Sequence, residues 1–364
     1  MGLNCGIVGL PNVGKSTIFN ALTSAKAESA NYPFCTIDPN TGIVKLPDTR
    51  LQQLAEIVRP NQILPTVIEF VDIAGLVKGA SQGEGLGNQF LGHIRSVDAI
   101  LHVVRCFDDD NVVHVSGSVD PLRDIETIQT ELALSDLDSV EKKLLRVEKQ
   151  AKSGDKKLKD EYDFYCRIRD SLGSGQPVGA IAASDDERLW LRDLHLLTDK
   201  PVLYVANVAE DDLAGNHPAV AKVSELAARE GAQMVTICGR IEAEIAELEG
   251  DEKNEFLREM GLQESGLERL IRIAYDLLGL ITYFTAGVKE VRAWTITRGT
   301  KAPQAAGVIH SDFEKGFIRA EVIAFGDYIS CGGESGARDK GLLRLEGKEY
   351  VVQDGDVMHF RFNV

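Results

Sequence analysis

Eight residues near the amino terminus have the types and spacing of a phosphate-binding loop. The run from Gly9 to Ser16 matches GxxxxGK[ST] and lies between an apolar segment and a segment of helical character. Its glycines let backbone N–H groups surround phosphate oxygens at the start of a helix. Lys15 is expected to place its charge on the β- and γ-phosphates, and Ser16 to offer its hydroxyl to Mg²⁺. The predicted phosphate contacts here are Asn12, Val13, Gly14, Lys15, Ser16 and Thr17.

A second pattern follows an apolar stretch that ends near residue 71. The run from Asp72 to Gly75 reads DxxG, in which the aspartate holds Mg²⁺ and the glycine offers a backbone N–H to the γ-phosphate. DxxG alone is a weak pattern, but after a phosphate-binding loop it is typical of a GTPase-type domain. Thr36, between the two motifs, is the candidate switch threonine that closes on magnesium when the γ-phosphate is present. The predicted Mg²⁺ ligands are therefore Ser16, Thr36 and Asp72.

Leu76 stands where a Ras-type enzyme carries the glutamine that orients the attacking water. Leucine cannot hydrogen-bond to water. Hydrolysis is therefore expected to be very slow, or another group supplies this function.

The base-recognition element also departs from the GTPase pattern NKxD. Here Val208 replaces the lysine whose stem covers the base, and Glu210 replaces the aspartate that binds guanine. Both changes weaken guanine recognition, because a site built for paired hydrogen bonds loses its discrimination when they are not satisfied. Asn207 retains an amide that can pair with adenine. These residues leave ATP and GTP both open as ligands.

Apolar segments separated by helical patterns must position these motifs. A helix is predicted over 15–23, and short buried strands over 4–10, 66–72, 99–105, 201–206 and 233–237. This alternation predicts an α/β domain with a mainly parallel sheet.

The alternation is interrupted between residues 120 and 199. Helical spacing on both sides of a break at 153–155 predicts an antiparallel helical hairpin with a short coiled-coil seam. Ser184 is predicted to cap a further helix that begins at Asp185. After residue 281, short alternating stretches between glycine turns predict a small β-rich domain. The predicted domains are a nucleotide-binding domain (1–119 and 200–280), an inserted hairpin (120–199) and a carboxyl-terminal domain (281–364).

Composition limits the classes of function. The chain has 364 residues and a net charge of −16, which argues against a surface coated with basic residues for free nucleic acid. Its apolar runs are too short to span a bilayer, and its start lacks the features of a signal peptide. A cytoplasmic location is therefore expected. The six cysteines form no CxxC pair, so a zinc ribbon is not expected.

Taken together, these motifs resemble the Obg-like ATPase, or YchF, family of GTPase-fold proteins. The resemblance rests on the phosphate-binding loop, Tyr-Pro-Phe-Cys-Thr-Ile-Asp-Pro at 32–39, Asp-Ile-Ala-Gly-Leu-Val-Lys-Gly-Ala-Ser at 72–81, the altered element at 207–210 and the β-rich tail. It covers essentially the whole chain. It implies a G domain, an inserted helical hairpin and a carboxyl-terminal TGS domain with a β-grasp fold. It also implies a preference for ATP over GTP, dependence on Mg²⁺ and association with ribosomes.

The resemblance further implies roles for individual residues. The family carries a hydrophobic residue at the position of Leu76, and a loop histidine matched by His114 is the proposed substitute for glutamine. His114 and Lys15 are thus the expected catalytic residues. The family's ATP-selective element maps onto Asn207 and Glu210. Without the resemblance, His114 is interpreted as a solvated loop histidine.

The predicted hairpin tip is basic in an otherwise acidic chain. Between residues 142 and 159, eight basic residues face two acidic ones. The tip is either a solvated coiled-coil surface or a finger that contacts ribosomal RNA phosphates on the large subunit or the 70S particle. The candidate RNA contacts are Lys149, Lys152, Lys156 and Lys157.

Two classes of function follow. One is a ribosome-associated ATPase that acts as a switch in translation or its stress regulation. The other is an ATP-gated module that binds ribosomes or RNA and hydrolyses ATP only incidentally. A GTPase remains a further alternative.

Overall fold

The structure, a computed structural model, describes residues 3–24, 40–73, 86–109, 111–152, 155–176, 178–181 and 183–363. The predicted site residues Thr36, Gly75 and Leu76 lie outside these ranges. Among the described residues, no helix is both long enough and apolar enough to cross a membrane.

A six-stranded sheet forms the core of the nucleotide-binding domain. Its strands are β1 (Asn4–Val8), β2 (Thr41–Lys45), β4 (Val67–Asp72), β5 (Ala99–Arg105), β6 (Val202–Asn207) and β7 (Gln233–Ile237), in the order β2-β4-β1-β5-β6-β7. All neighbours are parallel except β2, which is antiparallel to β4. Every residue of β5 is buried, as expected for a parallel strand covered on both faces. The predicted α/β architecture with a mainly parallel sheet is confirmed.

Helices in chain order are α1 (Lys15–Ser24), α2 (Thr49–Val58), α3 (Leu86–Ser96), α4 (Pro121–Ala151), α5 (Lys156–Gly173), α6 (Asp185–Leu194), α7 (Pro218–Glu230), α8 (Gly239–Ile245), α9 (Gly250–Glu259), α10 (Gly266–Leu277), α11 (Ala302–Ile309), α12 (Ser311–Lys315), α13 (Phe325–Ser330) and α14 (Glu334–Asp339). Short 3₁₀ turns lie at Val178–Ala180 and Glu210–Asp212.

The inserted hairpin consists of α4 and α5, which confirms the predicted helical hairpin. Asp120 and Asp155 cap the two helices, and Ser184 forms a capping box with Glu187 at the start of α6. The hairpin has a small apolar core of its own, built from Val140, Leu144, Val147, Phe164, Tyr165, Ile168, Leu172, Val178 and Leu196.

A buried carboxylate joins α4 to the segment that returns to the sheet. Asp136 accepts hydrogen bonds from the backbone N–H groups of Leu197 (2.9 Å) and Thr198 (2.8 Å), and from the Thr198 hydroxyl at 2.7 Å. The base of the hairpin is thereby fixed to the nucleotide-binding domain.

The carboxyl-terminal domain contains a second six-stranded sheet. Its strands are β8 (Leu280–Ala286), β9 (Glu290–Thr297), β10 (Phe317–Ala324), β11 (Arg344–Glu346) and β12 (Asp356–Phe362), together with β3 (Gln62–Leu64), in the order β11-β10-β12-β8-β9-β3. Helices α11 and α12 pack on one face, and α2, α13 and α14 on the other. The helices α11–α14 were not predicted from the sequence.

The second sheet draws on chain from outside residues 281–364. Strand β3 pairs with β9 in parallel, and Leu51 and Leu54 of α2 are buried in the same cluster as Phe284. Helix α2 and strand β3, which lie between β2 and β4 in the chain, are therefore attached to the carboxyl-terminal domain. The domain limits given above stay predictions.

Candidate nucleotide-binding site

The phosphate-binding loop lies between β1 and α1, where the backbone takes two left-handed residues. Asn12 has φ 63° and Gly14 has φ 97°. A Cβ atom on Gly14 would lie 2.2 Å from Nδ2 of Asn207, so both the backbone angle and the space require glycine. The loop is thus shaped by the residue types that the motif specifies.

Lys15 is buried beneath this loop. Its Nζ donates a hydrogen bond of 2.7 Å to the carbonyl oxygen of Leu10. Burial lowers the pKa of Lys15 to about 8, and the nearby carboxylate of Asp72 opposes that shift. The ammonium group is therefore poorly solvated in this state, which favours its pairing with an anionic phosphate.

Asp72 ends β4 beside the same loop. Burial raises the pKa of the Asp72 carboxyl, while the charge of Lys15 and a hydrogen bond from the Ser16 side chain oppose the rise. The Oδ1 atom of Asp72 is buried and finds no hydrogen-bond partner among the described residues. A buried oxygen without a partner beside a serine hydroxyl fits a small hard cation such as Mg²⁺. The structure thus brings together two of the three predicted metal ligands, and Thr36 lies outside the described residues.

Asn207 connects the phosphate loop to the start of α8. Its Nδ2 donates to the carbonyl of Val13 at 2.9 Å, and its Oδ1 accepts from the backbone N–H of Gly239 at 3.0 Å. One N–H of the amide remains for a ligand, because the side chain carries two. Asn207 therefore also holds the phosphate loop at a fixed position relative to the start of α8.

The other base-side residues have different surroundings. Val208 is only 3% exposed and packs in an apolar cluster with Val104 and Ile125. Glu210 forms an ion pair with Arg240, whose Nη1 lies 2.9 Å from Oε1, and the two side chains are 48% and 76% exposed. This partner of Glu210 was not predicted from the sequence. The two residues are 30 positions apart, and nothing in their local patterns links them.

The loop that carries His114 is held by Arg105 at the end of β5. Its guanidinium donates to the carbonyl oxygens of Phe107 (3.1 Å), Val112 (2.8 Å) and Asp109 (3.1 Å). These three hydrogen bonds from the buried guanidinium fix the first half of the loop. Asp110 lies outside the described residues.

His114 itself is buried, so its interpretation as a solvated loop residue is wrong. Its Nε2 lies 2.8 Å from Oδ2 of Asp124, and its Nδ1 accepts from the backbone N–H of Ser116 at 3.1 Å. The preceding residue, Val113, accepts a hydrogen bond of 3.1 Å from the side chain of Asn12. His114 therefore lies one residue from a contact with the phosphate loop, with both ring nitrogens occupied. Asp124 was also missed, because an acidic residue in a first helical turn is common.

Family models and relatives identify the kind of protein. Residues 4–149 match the family described as "50S ribosome-binding GTPase", and residues 280–363 match "YchF-GTPase_C: Protein of unknown function (DUF933)". A protein from Bacillus subtilis named "Ribosome-binding ATPase YchF" is 60% identical over 367 residues, with both chains covered completely. The protein of the same name from Escherichia coli O157:H7 is 59% identical over 364 residues, again with full coverage of both.

The chain belongs to the YchF family. A solved structure titled "Structure of the Schizosaccharomyces pombe YchF GTPase" agrees with this, at 40% identity and a TM-score of 0.89, covering 99% of this chain and 98% of that one. The family resemblance inferred from the motifs is confirmed, as is the combination of a P-loop GTPase-type domain with a carboxyl-terminal YchF domain. Relatives in the YchF family are named both "ATPase" and "GTPase".

Proposed function

We propose that this chain is a ribosome-associated P-loop hydrolase that converts ATP to ADP and phosphate in preference to GTP. The observation that carries the proposed nucleotide choice is the base side of the site. Val208 offers no polar group, and the Glu210 carboxylate is already paired with Arg240. Guanine recognition needs a carboxylate that accepts its two N–H groups, and here Arg240 competes with the base for that carboxylate.

The phosphate side supports hydrolysis. Backbone N–H groups of residues 12–17 would surround the phosphates, and Lys15 would move its ammonium from the Leu10 carbonyl to the β- and γ-phosphate oxygens. Ser16 and Asp72 would hold Mg²⁺, with Thr36 as the further predicted ligand. Bound Mg²⁺ would neutralise charge that develops on the transferring phosphoryl group. Lys15 and the helix N-terminus contribute the remaining stabilisation.

His114 is the proposed group that positions the attacking water. Leu76 cannot do so, and His114 adjoins the phosphate loop through the contact between Asn12 and Val113. In the described state its ring nitrogens are both engaged. Intrinsic turnover is therefore expected to be slow, and His114→Ala should lower kcat by about tenfold or more. Affinity for ATP should hold, since His114 is not part of the phosphate loop.

Ribosome contact is proposed for the basic hairpin tip. Lys152 pairs with Glu148 at 2.9 Å, whereas Lys149, Lys156 and Lys157 are exposed, and the structure records no ion pair for these three among the described residues. Exposed lysines at the end of two long helices suit contact with RNA phosphates. A cytoplasmic location accompanies this role.

Nucleotide choice is tested by measuring affinity and turnover for ATP and GTP, with and without ribosomes. We expect tighter ATP binding and ribosome-stimulated ATP hydrolysis. GTP binding about ten times tighter than ATP would contradict the proposed selectivity. Nucleotide-dependent ribosome binding without any change in turnover would instead favour an ATP-gated binding module.

The role of the tip is tested by reversing Lys149, Lys152, Lys156 and Lys157 to glutamate. Ribosome cosedimentation should weaken, with intrinsic ATPase activity retained. The matched control reverses four exposed lysines outside the hairpin, namely Lys222, Lys289, Lys340 and Lys348. If both variants weaken cosedimentation equally at several salt concentrations, the effect is one of general charge. The tip would then be a solvated surface without a ribosome contact.

A further inference from the structure

The strongest unexplained feature of the site is the buried pair formed by His114 and Asp124. Their side chains are each only 4% exposed, and Nε2 lies 2.8 Å from Oδ2. Because Nδ1 accepts from the Ser116 N–H, the ring proton of the neutral imidazole belongs on Nε2, where it is donated to Asp124. The ring therefore has no free nitrogen for a water molecule or a phosphate.

We propose that Asp124 is a positioning residue that holds His114 in a withdrawn state, and that displacement of α4 releases the histidine for hydrolysis. This inference rests on the proposed catalytic role of His114. It adds a control element to that role, because the residue that retains the histidine belongs to the hairpin and not to the phosphate loop.

The short segment around His114 is held by polar contacts and not by apolar burial. Val113 and Val115, on either side of the histidine, are 74% and 50% exposed. Arg105 clamps the loop only as far as Val112, so the released part is confined to the residues between that clamp and α4. Gly117, with φ 77°, takes a left-handed conformation in this part, and its N–H donates to the carbonyl of His114 at 3.0 Å. Loss of the bond to Asp124 therefore frees the histidine without dismantling the loop.

Asp124 connects this segment to the hairpin tip. It lies in the first turn of α4, and the same uninterrupted helix runs to Ala151 beside the basic tip. Arg123 adds a second contact, with Nη2 at 3.3 Å from Oδ1 of Asp124. Any shift of α4 caused by contact at the tip has to pass the bonds that hold Asp136 to Leu197 and Thr198 before it reaches the carboxylate that retains the histidine.

The phosphate loop approaches the same segment from the other side. The Asn12 side chain donates to the carbonyl of Val113, and Asn12 occupies a left-handed conformation. Phosphates bound by the backbone of this loop would therefore act on the residue next to His114. The pair of His114 and Asp124 thus lies between the phosphate loop, which would bind the nucleotide, and the hairpin, which would bind the ribosome.

The test compares two substitutions of Asp124 in the full chain. Asp124→Ala removes the acceptor, so ribosome-free ATP turnover should rise about fivefold or more, with KM unchanged, because the competent state becomes more populated. The factor by which ribosomes stimulate turnover should fall accordingly. Asp124→Asn keeps an oxygen that accepts from Nε2–H and should stay within about twofold of the wild type. Unchanged or lower turnover in Asp124→Ala would overturn the proposal.

Two further measurements separate this proposal from the one on which it rests. In ¹⁵N spectra, with the His114 signals assigned from His114→Gln, wild type and Asp124→Asn should show an Nε2–H proton protected from exchange by its hydrogen bond, and Asp124→Ala should lose that protection. In the double variant with His114→Ala, the gain from Asp124→Ala must disappear. If His114→Ala alone leaves turnover unchanged, the catalytic role fails, whereas the protection of the Nε2–H proton still reports whether the pair exists. Asp124→Ser serves as the second variant if Asp124→Ala is unstable, since its shorter side chain also breaks the contact.

Discussion

The phosphate side and the base side of the nucleotide site are built in opposite ways. On the phosphate side, Lys15 and Asp72 are buried or partly buried, and glycine is required at position 14. On the base side, the charged contact is an exposed ion pair between Glu210 and Arg240. Buried electrostatic contacts are strong and sensitive to change, whereas exposed pairs are weak and screened by salt.

This difference separates two properties of the enzyme. Affinity for phosphates and the chemical step should depend on the buried half, and discrimination between adenine and guanine on the exposed half. Asn207 touches both, because it binds the Val13 carbonyl and the Gly239 N–H. Substitutions on the phosphate side should therefore change turnover and affinity strongly, and substitutions on the base side should change the ratio of ATP to GTP affinity more weakly.

The largest effect is expected for Lys15→Ala. It removes the cation that stabilises charge on the transferring phosphoryl group, so turnover should fall by about 100-fold or more. Folding should persist, because the variant no longer buries an ammonium group. Single-turnover hydrolysis and thermal unfolding check both points, with Lys222→Ala as the control. Normal turnover would overturn the site assignment.

The local character of the phosphate side explains why it was predictable. The motif lies within eight consecutive residues, and its neighbouring strand and helix follow from apolar periodicity. The hairpin was predictable for the same reason, since its spacing persists over α4 and α5. Each of these features is specified by residues that are close in sequence.

The features that were missed depend on contacts between distant segments. Arg240 and Asp124 become informative only when folding places them beside Glu210 and His114. Strand β3 has three residues, too few for a periodic pattern, and it is defined by pairing with β9. Tertiary context therefore supplied the parts of the site that sequence patterns do not encode.

The affinity for ATP should depend on pH, with an effect of intermediate size that arises from the phosphate side alone. Burial lowers the pKa of Lys15 to about 8 in the nucleotide-free state, and a bound phosphate would raise it again. Binding above that pH must therefore take up a proton, and affinity for ATP should fall up to about tenfold between pH 7 and 9. His102, buried nearby with a pKa lowered to about 3 by burial and the charge of Lys15, stays neutral throughout.

Calorimetry in two buffers of different ionisation enthalpy measures this proton uptake directly. Lys15→Ala is the control, and its weaker affinity should be flat over the same pH range. A pH dependence retained in Lys15→Ala would assign the proton to another group.

Selectivity should respond to a paired change on the base side. Val208→Lys combined with Glu210→Asp restores the guanine-binding side chains and should shift the ratio of GTP to ATP affinity about tenfold towards GTP. The ratio is the informative quantity, because general damage at buried Val208 weakens both nucleotides equally. Equal weakening, measured by competition with a fluorescent nucleotide, would show that position 208 acts only through packing.

The smallest effect is expected for Arg240→Ala, which tests the ion pair by itself. Exposed pairs contribute at most about 1 kcal/mol, so the affinity ratio should move only about two- to threefold. The direction is towards GTP, because the freed Glu210 carboxylate can accept hydrogen bonds from guanine. Raising the salt concentration screens the same pair and should move wild-type selectivity the same way, while Arg240→Ala stays constant. A salt response that persists in Arg240→Ala would place the selectivity outside this pair, and the exposed half would then discriminate by shape alone.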